Sequence, residues 1–404
     1  MASVRRPLRL ISIVLTNPKP KNPNPKRQPA TTLPHALRPT LRKETLFGLW
    51  SNDFSLVTGQ AIVTARAAAV LRRTGVREFT YRGPGLAMLL TWLGSTAQLW
   101  WAAALGRIGT LYLVCSRSNI GFLRDVPAYL VRILGVRVVV HVHGSDIVDL
   151  IQRRCIGSIA HALLRNCELI LPSRHLVDPL RKLGIHSLHV CENFVTDSPP
   201  GEQHEGWSGS PAQDGAQLTV LWNSNIMASK GFFVVAEAVA SMHREGQDVR
   251  LIVLGAVVSD ELMSAAQTQQ RLNALRLEPW LDFRGLVDRL TSTQSLSESD
   301  VVCLPSTFSS ECQPLAVLEA MCSGKRLVIA NTPPLIATVG DYPCERVESV
   351  TSESVRAAIN RTAAETYPQA SFELAAAAAR IRFSADRFDS DLALILDMAA
   401  SPRT

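Results

Sequence analysis

Two glutamates, Glu311 and Glu319, stand eight positions apart in the stretch SSECQPLAVLEAMCSGK. Glu311 lies among small polar residues and Glu319 inside an apolar run. A strand-like segment, DVVCLPS, precedes them, and Pro314 suits the first turn of a helix, where its missing N–H costs nothing. Glu311 then falls in the loop before that helix and Glu319 about a turn and a half inside it. A carboxylate accepts two hydroxyl hydrogen bonds at once, so either acid can grip a sugar ring or a ribose. Spacing alone does not decide for chemistry, because acids near a helix start also answer the helix dipole.

Other candidates share that setting at the end of a strand. In SNIMASKGFFVVAEA, Lys230 and Gly231 stand where the strand LTVLWNSN gives way to a helix. A lysine beside free helix N–H groups suits a diphosphate; the plain alternative is a solvated lysine. In HVHGSD, which follows VRVVV, His141 and His143 point the same way if the strand continues, and Gly144 permits a sharp turn. His143 can hydrogen-bond a sugar hydroxyl or a phosphate, whereas His141 reads as a core histidine. In TGQ, Gly59 lets the backbone approach a ligand closely. The sequence contains neither a G-x-G-x-x-G before a helix nor a P-loop, which argues against a nicotinamide enzyme and a P-loop NTPase.

The elements that must hold these residues alternate. Strand-like runs include ETLFGLW, EFTY, TLYLVC, VRVVVHVHG, CELILPS and SLHVCEN. After the polar, Gly/Pro/Ser-rich stretch 197–216 the pattern restarts with QLTVLWNSN, VRLIVLG, LDFRG, DVVCLPS and KRLVIAN. Helical patterns lie between them, among them 61–75, VPAYLVRILG and GFFVVAEAVASMHREG. Strands alternating with helices predict doubly wound parallel sheets, here two Rossmann-like domains facing across a cleft. The expected organisation is a basic, Pro-rich, disordered extension at 1–43, a first domain at 44–200, a second at 201–372, and terminal helix at 373–404 crossing back to the first.

Composition narrows the function. The chain has 404 residues, 47% of them hydrophobic, enough for two cores. Ten Lys/Arg and no acid fall in residues 1–43; subtracting them from the net +7 leaves −3 for the rest. The basic balance therefore belongs to the extension and does not argue for nucleic-acid binding. The eight cysteines stand singly with no CxxC or metal-ligand spacing, as in reduced, buried residues of a cytosolic protein. No metal site and no cofactor are expected. The segment 83–106 carries no charge over 24 residues, long enough for a span. Its glycines, Pro84 and polar residues favour instead an apolar helix packed on the first domain that can touch a bilayer surface.

Taken together, these residues resemble glycosyltransferase family 4, whose members have the two-Rossmann GT-B fold. The resemblance covers about 44–400. It rests on the E-x7-E element in ECQPLAVLEAMCSG, the LPS before it, SKG after the first strand of the second domain, and HVHGSD. It implies a retaining, hexosyltransferase-type enzyme using a nucleotide sugar without metal. Glu311 would contact the donor sugar, Glu319 the ribose and Lys230 the diphosphate. His143 would sit near the transferred sugar and Gly59 near the diphosphate from the opposite domain. Ser224, Asn225, Gln313 and Leu315 complete the implied donor site, with Glu311 and His143 as its catalytic pair. The chain departs from the family pattern at Asn225, where many relatives have arginine, and at Cys312-Gln313-Pro314, where glycines are usual. The implied acceptor is a saccharide or a lipid-linked saccharide, met in the cytoplasm or at the cytoplasmic membrane face, in cell-surface polysaccharide or glycolipid synthesis. The competing readings are a sugar-nucleotide epimerase or phosphorylase on the same fold, a non-catalytic nucleotide-sugar binder, and a membrane-embedded protein.

Overall fold

The computed structural model describes residues 46–52, 59–196, 217–364 and 369–398. The basic extension, Thr58 and the 197–216 stretch lie outside them. The first sheet is built from β1 (Leu46–Asn52), β2 (Val76–Tyr81), β3 (Ile108–Val114), β4 (Arg137–His141), β5 (Glu168–Leu171) and β6 (Leu188–Val190). Helix α1 (Gly59–Arg72) follows β1, α2 (Gly85–Ala104) follows β2, and α3 (Asn119–Leu130) follows β3. Helices α4 (Ile147–Gln152) and α5 (Gly157–Leu164) join β4 to β5, and α6 (Val177–Lys182) leads to β6. All pairings are parallel, in the order β2-β1-β3-β4-β5-β6.

The second sheet comprises β7 (Leu218–Asn223), β8 (Val249–Leu254), β9 (Leu281–Gly285), β10 (Val301–Leu304), β11 (Arg326–Ala330) and β12 (Glu345–Val347). Its helices are α7 (Phe232–Arg244), α8 (Ala265–Leu275), α9 (Arg289–Glu298), α10 (Leu315–Cys322), α11 (Pro333–Val339) and α12 (Ser352–Ala363). The order is β12-β11-β10-β7-β8-β9, again parallel. Strands such as VVCL and RLVIA are buried along their whole length. Helices cover both sheet faces, which is why these strands read as unbroken apolar runs rather than alternating ones.

The chain reverses its winding between β1 and β3 in the first sheet and between β7 and β10 in the second. At such switch points the flanking loops splay apart beyond the strand ends and leave a crevice for a ligand.

The last two helices, α13 (Gln369–Arg382) and α14 (Ala385–Ile395), are separated at Ser384, whose side chain caps α14 by accepting from Arg387 N. Helix α14 packs Ala385, Phe388 and Leu392 onto Leu49, Val63, Ala67 and Tyr112 of the first domain. Arg66 clamps Asp389 through Nε and Nη2 at 2.7 and 2.9 Å.

Two local readings change. Helix α3 begins at Asn119, seven residues before VPAYLVRILG. Ser118 caps it by accepting from Gly121 N, and Pro127 lies inside the helix, so a residue that reads as a helix start is interior. Among the eight free cysteines, Cys155 is exposed and Cys322 and Cys344 are half-buried; the other five are core. Among the described residues no helix is long and apolar enough to cross a membrane. Helix α2 instead buries one stripe, Ser95, Leu99, Ala102 and Ala103. Trp92 and Trp100 lock it to α3 by donating to the Arg124 and Pro127 carbonyls at 2.9 and 3.1 Å.

Candidate active site

The two switch points open onto one cleft, about 1350 Å³ of space including open solvent, and all nine expected site residues line it. Lys230 reaches it because of Gly231. That glycine has φ +88°, and a Cβ there would lie 2.7 Å from the Pro305 carbonyl oxygen, so only glycine lets the start of α7 close against the end of β10. Lys230 Nζ lies 3.1 Å from Glu311 Oε2 and donates to Ser224 Oγ at 3.2 Å. Ser306, of the LPS stretch, donates to the same Glu311 oxygen at 3.0 Å. Both charged side chains are largely buried, 13% and 8% exposed. Glu311 is therefore an oriented carboxylate, and Lys230 presents its remaining donor capacity to the cleft.

Glu319 sits deeper along α10. Its Oε2 accepts from Asn223 Nδ2 at 3.0 Å and its Oε1 pairs with Arg289, which also donates to the Thr196 carbonyl at 3.0 Å. Asn225 is exposed on the cleft wall. Gly59 opens α1, and a Cβ on it would stand 3.3 Å from Leu315 Cδ1, so α1 and α10 face each other closely across the cleft.

Gln313 does something the sequence did not predict. Its Oε1 accepts from Asn193 N at 2.6 Å, its Nε2 donates to Glu192 Oε1 at 3.3 Å, and its carbonyl accepts from Asn193 Nδ2 at 3.0 Å. The side chain clasps the first domain, spending one of its two amide N–H donors on Glu192. Arg382 ties the same Glu192 at 2.5 and 3.0 Å.

His141 is fully buried, with Nδ1 2.5 Å from Tyr112 Oη, and burial pushes its pKa down to about 3. His143, its ring 4.3 Å from His141, lines the cleft. Burial, and then the neighbouring His141 and Arg117, hold its pKa well below 6.5. Its Nε2 is buried without a hydrogen-bond partner. It is a neutral imidazole with one nitrogen free for a ligand. Gly144 is absent from the positive-φ glycines; its role is not the sharp turn but space, since a Cβ there would overlap the Arg117 guanidinium.

Several residues escaped the sequence reading. Ser145 crosses the cleft, its N donating to the Ser310 carbonyl at 3.3 Å and its Oγ to the Glu311 carbonyl. His175 backs it at 2.8 Å from Ser145 Oγ and 2.9 Å from Ser173 Oγ, with a pKa lowered to about 4 by burial. Arg117, Asn193, Asn223 and Arg289 were missed as well. For Arg117, Asn193 and Asn223 a signal existed, because each stands at or just after the end of a strand or strand-like run. Among the described residues no group of three His, Cys, Asp or Glu side chains could hold a metal ion.

Residues 217–361 match the family model of glycosyl transferases group 1. By structure the chain resembles Anabaena HepE solved with UDP and glucose, at TM-score 0.64 and 18% identity over 88% of this chain and 100% of that one. It also resembles a sucrose-phosphate synthase from Thermosynechococcus elongatus, at TM-score 0.66 and 14% identity over 87% and 98%. The fold is GT-B. A UDP-forming α,α-trehalose-phosphate synthase from Burkholderia xenovorans shares it, at TM-score 0.60 and 11% identity over 88% and 99%. No curated protein matches the chain in sequence. The matched domain and the GT-B fold together support a glycosyltransferase working with a nucleotide sugar. The matched domain contributes Lys230, Glu311 and Glu319, so the family match and the cleft converge on the same residues.

Proposed function

We propose that this GT-B protein is a retaining glycosyltransferase that moves a hexosyl group from a nucleotide sugar to a saccharide or lipid-linked acceptor. The observation that carries the reading is the buried Lys230–Glu311 pair at the mouth of α7, facing the first domain's His143 across one cleft. In this reading Lys230 and the N–H groups opening α7 hold the diphosphate, whose charge grows as it departs. Glu311 grips the donor sugar hydroxyls, and Glu319 receives the ribose when Arg289 gives way. The bond from the anomeric carbon to the diphosphate oxygen breaks, and a bond to the acceptor oxygen forms on the same face. The acceptor proton passes to the departing phosphate oxygen. His143, neutral and with Nε2 free, donates to or accepts from a sugar hydroxyl without adding charge. Fixed positive groups supply the charge stabilisation, and no metal is required by this scheme.

The acceptor side of the reading includes a membrane surface in cell-surface polysaccharide or glycolipid synthesis. Its support is α2, which exposes Leu86 at 70%, Leu90 at 60% and Trp101 at 63%, with Arg82 and Arg107 at its ends. An apolar face ended by arginines suits an anionic bilayer surface. Recovery with anionic vesicles, lost on changing Leu86 and Leu90 to Ser, supports it; equal activity on soluble acceptors without vesicle binding overturns it.

The test of the transferase is thermal stability against UDP-, GDP-, ADP- and CMP-sugars, followed by transfer assays with the stabilising donor. One donor should stabilise, and Lys230→Ala or Glu319→Ala should remove the effect. Binding without turnover would favour the non-catalytic reading, release of free sugar without an acceptor the epimerase, and no stabilisation by any donor would overturn the proposal.

A further inference from the structure

Resting on the nucleotide-sugar reading, we infer that Arg117 is the second phosphate-binding cation of the cleft, supplied by the first domain opposite Lys230. Four observations meet at this residue. It lies three positions beyond β3, at the switch point of the first sheet, and lines the cleft. Its guanidinium rests on Gly144, where any Cβ would overlap Nη1. That Nη1 is buried and has no hydrogen-bond partner. Its backbone is pinned, because Arg153 Nη1 donates to the Arg117 carbonyl at 3.0 Å and to Asn119 Oδ1 at 2.6 Å.

A counter-ion is present but does not explain the geometry. Asp146 Oδ1 lies 3.1 Å from Arg117 Nε, yet Oδ1 makes no hydrogen bond, so the two charges touch without alignment. An arginine placed only to hold Asp146 would present its fork squarely to the carboxylate. Here the group is confined by Gly144 and pinned at its backbone, with a donor left unmet, which native proteins rarely tolerate without a reason. A ligand oxygen supplies that reason.

The charges of the cleft point the same way. The cations lining it, among the described residues, are Lys230 and Arg117, and the acids are Glu311 and Glu319. Lys230 is already shared with Glu311 and Glu319 with Arg289. A nucleotide sugar brings about two negative charges on its diphosphate, and an arginine fork fits phosphate oxygens two at a time. The phosphate at Arg117 is either the donor's diphosphate or a phosphate carried by the acceptor.

The experiment separates these sources. Calorimetric binding of UDP, GDP, ADP and the corresponding nucleosides is measured for the wild-type chain, Arg117→Gln, Arg117→Lys, Gly144→Ala and Lys230→Ala. If Arg117 meets the donor, Arg117→Gln weakens the preferred nucleoside diphosphate about 10- to 100-fold and leaves its nucleoside unaffected. Arg117→Lys then recovers part of the loss, and Gly144→Ala, by displacing the guanidinium, reproduces it. If Arg117 meets the acceptor, diphosphate binding is unchanged. Inorganic phosphate then binds the nucleotide-saturated wild type but not the nucleotide-saturated Arg117→Gln. Unchanged binding of both probes in folded Arg117→Gln overturns the inference while Lys230→Ala still reports on the donor site. If the wild type binds no nucleoside diphosphate, the nucleotide-sugar reading fails; inorganic pyrophosphate bound by wild type and lost in Arg117→Gln would then keep the anion site, and its absence would end both.

Discussion

Replacing Lys230 by Met removes one member of a pair whose side chains are only 13% and 8% exposed. The Glu311 carboxylate is then left buried, with Ser306 Oγ as its side-chain donor. Breaking a buried pair from one side costs about 3–5 kcal/mol, because the surviving charge is uncompensated. For a domain of this size each kcal/mol lowers the midpoint by about 2–4 °C, so the variant should melt about 6–12 °C below wild type at the lower end of that cost. Adding Glu311→Gln removes the stranded charge while a side-chain oxygen still accepts from Ser306. The double variant should regain most of the lost stability and still fail to transfer sugar. Circular dichroism melting of the wild type, both single variants and the double variant completes the cycle. A double variant as unstable as Lys230→Met would refute the reasoning, since the cost would not come from the stranded carboxylate. An unchanged midpoint in Lys230→Met would show that the pair does not form in solution.

Three further outcomes are expected. Gln313→Ala removes the side-chain bonds to Asn193 N and Glu192 and should open the cleft, seen as faster amide exchange around 192–196 and 309–313; unchanged exchange there would deny the clasp. Phe388→Ala should cost about 3–5 kcal/mol in denaturant unfolding, since Phe388 is 2% exposed and anchors α14 on the first domain; a loss under 1 kcal/mol would rule that anchoring out. Stability should also fall on acidification. His141 and His175, lowered by burial to about 3 and about 4, stay neutral in the fold while the unfolded chain takes up protons below about 6.5. The contribution is present in full above pH 6.5 and is lost as pH falls toward about 4 for His175 and about 3 for His141, at up to about 1.4 kcal/mol per pH unit for each histidine. A flat denaturation midpoint from pH 7.5 to 5 would contradict their buried, neutral state.

What the sequence disclosed was local. RVVVH and VRLIVL are apolar because helices cover both faces of their sheets, and that pattern needs no partner to be read. Glu311, Lys230 and Gly59 could be found because strand ends are where doubly wound sheets bind ligands. The direction of a side chain is a different matter. Gln313 turns to Asn193, 120 positions away, and Ser145 reaches the Glu311 carbonyl across 166. Nothing in the neighbours of either residue records such a pairing. Arg117 was hidden for a related reason: one arginine after a strand looks like any solvated arginine until Gly144 and Asp146 are brought beside it. The start of α3 was missed because Pro127 masked the quieter signal of Ser118.

The seat of α14 has a consequence for how this molecule comes into being. Leu49, Val63 and Ala67 belong to the opening of the first domain, yet the side chains that cover them, Phe388 and Leu392, are made only after the whole second sheet. On the ribosome the first domain must therefore wait, its sheet wound but one flank bare, while more than 300 further residues are added. A nascent chain halted anywhere before Ala385 would present that bare flank to chaperones and proteases. The docking of α14 thus couples the order of the first domain to a segment far along the chain, so that the two fold as one unit.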